Sequence, residues 1–281
     1  MNSGLTNFET SMFYLTIMAY LLSMAFYWVW FGFKQQMVGR FATLLAIVGL
    51  AGNTTVVVIR MIIAGRPPLS NGYEFILTFC WGIIAVYLFV EFRYHIKSLG
   101  AFVVPIPFLL LAYIVMKMGA EERVAQAIPP ALKSQWLTFH VLTAILSYGA
   151  FAISFGLGIM YLLKARHSGG NSGEASSRIP APEVLDELAY KMVGFAFPLL
   201  TLCIISGAIW ANYAWGTYWS WDPKETWSLI TWIIYAGYLH ARLMYGWKGR
   251  RAAWLAVFGF VAVLFTFFGV NYFLPGLHSY A

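Results

Sequence analysis

The chain has 281 residues, 60% of them hydrophobic and only 10% charged. Soluble domains run at about 25% charged, so this balance excludes a soluble globular protein and requires a lipid solvent. The formal net charge of +7 comes from Lys and Arg in short runs between apolar stretches, with no basic face. That excludes a nucleic-acid surface and leaves membrane topology as the use of the charge.

The N-terminal MNSGLTNFET lacks a basic n-region and a small-residue cleavage site, so the first apolar stretch is expected to be a retained span. A span needs about 20 apolar residues. Eight stretches qualify, at 12–33, 41–63, 73–92, 99–116, 136–163, 191–213, 225–246 and 252–273. The runs are continuous and do not alternate with period two, which favours helices over barrel strands. The expected fold is therefore all-α, a polytopic membrane protein of about eight transmembrane helices forming one membrane domain over 1–281.

The connections set the orientation. Of the 18 Lys and Arg residues, the majority, including Lys34, Arg40, Arg93, Lys97, Lys248 and Arg251, fall on one side of the layout. That side is expected to be cytoplasmic, which puts both termini, the segment near residue 70, the loop 117–135 and an aromatic loop at 214–228 outside. RHSGGNSGEASSRIPAP, at 166–182, reads as the core of a flexible cytoplasmic linker over 165–190. Cys80 and Cys203 stand far apart inside apolar segments, so neither a CxxC pair nor a disulfide is expected.

Chemistry-bearing residues gather toward the outer ends. Arg60 and Arg66 flank RPPLSNGYEF, where they read either as partners for ligand carboxylates or as helix-end charges; Glu74 reads as a first-turn carboxylate. In QWLTFHVLTAILSYG, His140 falls about one turn below the outer end of the fifth span. The loop WGTYWSWDPKETW then crowds Trp215, Trp219, Trp221 and Trp227 around Asp222, Pro223 and Glu225. Those three have the pattern of an N-cap, a proline at the first helical position and a capping box.

Interfacial anchoring accounts for any single tryptophan at a helix end. It does not account for six of the 12, from Trp210 to Trp232, lying at one connection. An aromatic-walled outer surface suits a large, flat, conjugated ligand. His278 follows Pro275 and Gly276, which stop the last helix and let the tail fold back over the same face. Two histidines flanking one aromatic floor fit axial ligands of haem iron. His240, in WIIYAGYLHARL, lies deeper in the seventh span, with Trp232 and Ala236 on its face, and is expected to point into the bundle. An ionisable residue there is either functional or hydrogen-bonded between helices. His95 and His167 read as loop residues.

WGTYWSWDPKETWSLITWIIYAGYLHAR, with its W-G-x-x-W-x-W-D core, resembles the signature of the haem-handling WWD membrane proteins of cytochrome c maturation. The PKETW continuation and the eight spans are similar to the CcsA/ResC branch, the system II assembly; PLSNGYEF and GVNYFLPGLHSYA match it too. The resemblance covers a WWD-type assembly domain over roughly 70–280. It implies that His140 and His278 ligate haem b on the outer face, above Trp215, Trp219, Trp221, Asp222 and Trp227, and that His240 holds haem transiently within the membrane. It further implies a ResB/CcsB-type partner subunit, an apocytochrome c acceptor bearing CxxCH, a thioredoxin-like reductant acting on that acceptor, and residence in the bacterial cytoplasmic membrane. The activity implied is that of a subunit of a cytochrome c synthase, or haem lyase; the rival readings are a haem exporter and a scaffold that docks apocytochrome without touching haem.

Overall fold

The structure is a computed structural model describing residues 2–119, 123–124, 132–167, 179–274 and 276. Among these the regular structure is helical throughout: α1 Asn2–Phe33, α2 Gln36–Ala64, α3 Gly72–Tyr94, the short α4 Gly100–Val103, α5 Pro105–Lys117, α6 Gln135–His167, α7 Pro182–Trp215, α8 Pro223–Tyr245, α9 Arg250–Leu264 and the short α10 Val270–Phe273. Among the described residues seven helical stretches, with Lys97–Lys117 and Arg250–Gly269 each counted as one, are long and apolar enough to cross a membrane. The chain is a multi-pass membrane protein. The remaining long helix, α8, has 23 residues, enough length at 1.5 Å per residue, but Lys224, Glu225, His240 and Arg242 dilute its apolar content.

The described chain packs as two compact units, Met1–Ile128 and Pro129–Ala281. In the first, α2 lays a stripe of small residues (Gly39, Ala42, Thr43, Ala46, Gly49, Gly52) against α1. Without a water-driven hydrophobic force inside lipid, close backbone approach of this kind supplies the packing energy. A β-carbon at Gly49 would collide with the Tyr20 ring, which fills that gap. Charges buried in this unit are paired. Glu9 meets Arg60 at 2.8 Å, and Glu91 accepts from Tyr27 at 2.7 Å, Thr43 at 2.7 Å and Lys97 at 3.0 Å, as well as from Tyr87.

The second unit is built on α6 and α7 lying along each other, with α9 packed on α6 and α8 contacting α7 and α9. Ser147 donates to the Ala196 carbonyl at 2.9 Å, tying α6 to α7. Phe151 of α6 stacks flat on Tyr235 of α8, centroids 3.5 Å apart and planes 9° off parallel. The segment expected as a linker is partly helical: α6 runs on to His167, and α7 starts at Pro182, nine residues before the expected 191. Pro182 and Glu183 suit a helix start, and Leu185, Leu188 and Ala189 bury an apolar face that the intervening acidic residues conceal in the sequence. The rest of that linker, 168–178, lies outside the described residues.

Near its end the last membrane helix departs from α geometry. Residues Phe265–Gly269 form a π-turn between α9 and α10. Thr266 there donates to the Ala262 carbonyl at 2.8 Å and reaches the Trp227 carbonyl at 3.2 Å. The wider turn so places a hydroxyl against the first turns of α8, beside the aromatic loop.

Candidate functional site

The site is assembled on the second unit, where α7 ends and α8 begins. Gly216, at φ 80°, closes α7 in the left-handed conformation that glycine adopts without penalty. Six residues later Asp222 caps α8, accepting from the Lys224 amide at 2.9 Å, with the full capping box to Glu225 present. The helix start read from Asp222, Pro223 and Glu225 is therefore the one observed.

Glu225 does more than cap. Its Oε2 accepts from the Ser220 amide at 2.8 Å, the Ser220 hydroxyl at 3.2 Å and the Asp222 amide at 3.2 Å, gripping the loop on both sides of Trp221. Between those points Trp221 is held at φ 60°, left-handed backbone that costs a residue with a β-carbon roughly 1–2 kcal/mol. Its ring is 68% exposed. The clamp thus holds a large aromatic ring outward at an energetic cost, a pattern found where backbone strain serves a site.

The tryptophans form three groups, a difference from the single floor expected. Trp215 meets the buried Trp210 edge-on at 4.9 Å. Trp219 and Trp221 form a perpendicular pair at 5.7 Å. Trp227 packs on Phe265 of the π-turn at 4.2 Å. Indole faces prefer edge or offset contacts with one another, so the loop resolves into pairs.

His140, on α6, joins the first of these groups. Its ring lies nearly parallel to Trp210, 24° between planes and 6.2 Å between centroids. Nδ1 is 2.7 Å from the Cys203 carbonyl oxygen of α7. A carbonyl only accepts, so Nδ1 carries a proton; in the neutral ring the lone pair is then on Nε2, the tautomer that a metal-ligating imidazole needs.

Lys224 lies in the first turn of α8, ahead of the apolar stretch. Burial pushes its ammonium down to about 8, against the opposing pull of the Asp222 carboxylate.

The other expected positions divide. His278 lies outside the described residues, but Gly276, two residues before it, packs on Asp222 and Pro223. His240 is exposed: α8 packs through Thr231, Tyr235, Tyr238 and Ala241, and His240 falls on the opposite side, its ring edge-on to Tyr245 at 5.6 Å. The expectation that it points into the bundle is corrected, because the tyrosine face with its larger buried area wins the interior. Beyond Tyr245 a cleft of about 480 Å³ is lined by Gly246, Trp247, Lys248, Arg250 and Arg251. Arg60 pairs with Glu9, and Arg66 with Glu74 at 2.9 Å, so both arginines serve ion pairs of the first unit. Glu74 stands in the first turn of α3, capped by Asn71, as expected.

Three features passed unnoticed in the sequence: the Cys203 carbonyl, Gly207 beneath the His140 ring, and the reach of Glu225 to Ser220. Cys203, Gly207 and Trp210 recur at helical spacing on one face of α7, the one signal that would have pointed to them.

These features define a polytopic helical membrane protein with an aromatic, histidine-bearing site at the junction of two helices. Comparison places it more narrowly. Residues 69–278 match the family described as "Cytochrome C assembly protein", and the chain belongs to that family. It is similar to the cytochrome c biogenesis protein CcsA of Guillardia theta, 39% identical over 98% of this chain and 96% of that protein. The protein of the same name from Gloeobacter violaceus is 36% identical over 93% of each. Among solved structures, the cytochrome c haem lyase CcmF superposes with a TM-score of 0.71 at 14% identity, over 94% of this chain but 46% of that one. At that identity the likeness concerns the fold.

Proposed function

We propose that this chain serves cytochrome c maturation by holding haem b, as substrate, on its outer face and presenting it to the CxxCH segment of an apocytochrome c. His140 Nε2 is one axial ligand and His278 the other. Trp215, Trp219, Trp221 and Trp227 contact the macrocycle, and Asp222 fixes the loop that carries them. The observation that carries this reading is the Nδ1 hydrogen bond of His140 to the Cys203 carbonyl, which sets the ligating tautomer beside the Trp210 and Trp215 rings. The residues fit the group: a neutral imidazole for the iron and aromatic faces for the ring.

On this reading the protein supplies coordination and orientation. The reactive vinyl groups belong to the haem, and the thiols to the acceptor. The acceptor's histidine replaces one protein ligand at handover. His240, exposed on α8, holds haem before it reaches the outer site, facing a ResB/CcsB-type subunit with which this chain forms a synthase. A thioredoxin-like protein keeps the acceptor cysteines reduced. The setting is the bacterial cytoplasmic membrane, with the tryptophan loop and both termini on the outer face.

The test is the visible spectrum of the purified complex, recorded for wild type, His140→Ala and His278→Ala. Loss of the axial ligand signature in both variants, with recovery on adding imidazole, supports the reading. A wild type devoid of haem, or two unchanged spectra, overturns it. His240→Ala lowers haem at the outer site without rescue by imidazole, because the loss precedes ligation. Haem bound normally by a loop variant that forms no thioether bonds would separate attachment from delivery.

A further inference from the structure

Helix α7 contains two interior glycines in quite different surroundings. A β-carbon at Gly194 would meet nothing within 4 Å. At Gly207 it would stand 2.7 Å from His140 Nδ1 and 2.8 Å from His140 Cε1, separations that real β-carbons essentially never show. The atoms it would strike belong to a ring that Cys203 and Trp210 of the same helix also contact. Cys203, one turn before Gly207, takes the Nδ1 hydrogen through its carbonyl at 2.7 Å, and its Sγ lies 3.5 Å from the same nitrogen. Trp210, one turn on, lies nearly parallel to the ring. The Ser206 hydroxyl, which donates to the Leu202 carbonyl at 2.6 Å, also lies 3.1 Å from the Cys203 carbonyl. A methyl group at position 207 therefore has to displace an imidazole that is tied to the same helix by its Nδ1 hydrogen bond.

Gly207 lacks the positive φ of Gly216, so the helix does not need a glycine for backbone reasons, and an interior glycine weakens a helix relative to alanine. The three atoms nearest the space it leaves all belong to His140.

We infer that Gly207, together with the Cys203 carbonyl, is a positioning element for His140: the missing side chain lets the Nδ1–Cε1 edge of the imidazole approach α7, and the carbonyl holds Nδ1 as the donor, which leaves Nε2 as the ligating nitrogen. The inference rests on the proposal that His140 ligates haem and adds the residues that aim it. Partners of a ligating histidine beyond the metal typically change affinity by about 10–100-fold when altered.

The experiment is a double-mutant cycle on the purified complex, with Gly207→Ala, His140→Ala and the double variant. Haem content and spectrum are read with and without imidazole, and thermal unfolding is followed in parallel. Gly207→Ala is expected to lower haem retention about 10-fold or more, to acquire the spectrum of His140→Ala, and to regain axial ligation with added imidazole. Its thermal midpoint falls, although Gly→Ala inside a helix ordinarily raises it, and the double variant recovers the midpoint because the struck ring is gone. Should Gly207→Ala fail to fold while the double variant folds, the clash is demonstrated directly. If both fail to fold, Gly207 serves the helix pair and not His140, and the inference is overturned. It is overturned also if Gly207→Ala keeps the wild-type spectrum, an outcome that leaves haem ligation by His140 standing. Wild type without haem removes both.

Discussion

Gly276 lies against the carboxylate of Asp222: a β-carbon at position 276 would collide with Asp222 Oδ2 and come within 3.0 Å of Pro223 Cδ. Gly276 is thereby set on the cap of α8, the helix that follows the tryptophan loop.

Gly276→Val should displace the tail while leaving the helices intact. Helical circular dichroism stays at the wild-type level, and the haem spectrum changes as in His278→Ala. An unchanged spectrum would detach the tail from the site.

Trp221 provides a sharper separation of fold from function. Trp221→Gly removes about 1–2 kcal/mol of left-handed strain, and the greater flexibility of glycine in the unfolded chain gives back roughly half of that. With the ring 68% exposed, little packing is lost. The variant should therefore unfold at or slightly above the wild-type temperature while binding haem less well. Glu225→Gln, which can still complete the capping box, should cost well under 1 kcal/mol. A marked fall in the melting temperature of Trp221→Gly would show that the ring holds the loop together.

The Glu9–Arg60 pair tests the first unit independently of haem. Both side chains are about 5% exposed or less, and the guanidinium also lies 4.8 Å over the Tyr73 ring. Arg60→Met strands a buried carboxylate and should destabilise by about 3–5 kcal/mol, whereas Arg60→Met with Glu9→Leu should recover most of the loss. Thermal unfolding of the three proteins decides it. Equal effects of the single and double changes would mean the pair is not the origin of the cost.

Lys224 carries the pH dependence. Its ammonium is lowered from the ordinary lysine range to about 8, chiefly by burial, so between about 8 and the unfolded value near 10.4 the unfolded chain holds more protons. Stability contributed by this group rises with pH across that window. Lys224→Met should flatten the rise and be no less stable at pH 7. Melting temperatures from pH 7 to 10 that run parallel in the two proteins would contradict this.

Much of the architecture was legible because lipid imposes a simple grammar: long apolar runs become helices, and charges are sent to the ends or into pairs. The capping box at Asp222 was readable for a local reason, since its residues sit within three positions of one another. The start of α7 was hidden because Glu183, Asp186 and Glu187 mask the apolar face of Leu185, Leu188 and Ala189. The orientation of His240 was missed because a single helical face does not say which neighbour wins it; Tyr235 and Tyr238 did. Gly207 and the Cys203 carbonyl were invisible for another reason: one contributes an absent side chain and the other a backbone atom, and both matter only once α6 lies alongside α7.

The central claim is that His140 Nε2 binds haem iron, and electron paramagnetic resonance of the ferric complex tests it most directly when histidine is labelled with ¹⁵N at Nε2. The account predicts a low-spin signal with coupling to two labelled nitrogens, reduced to one in His140→Ala. A signal that keeps both couplings in His140→Ala would contradict it.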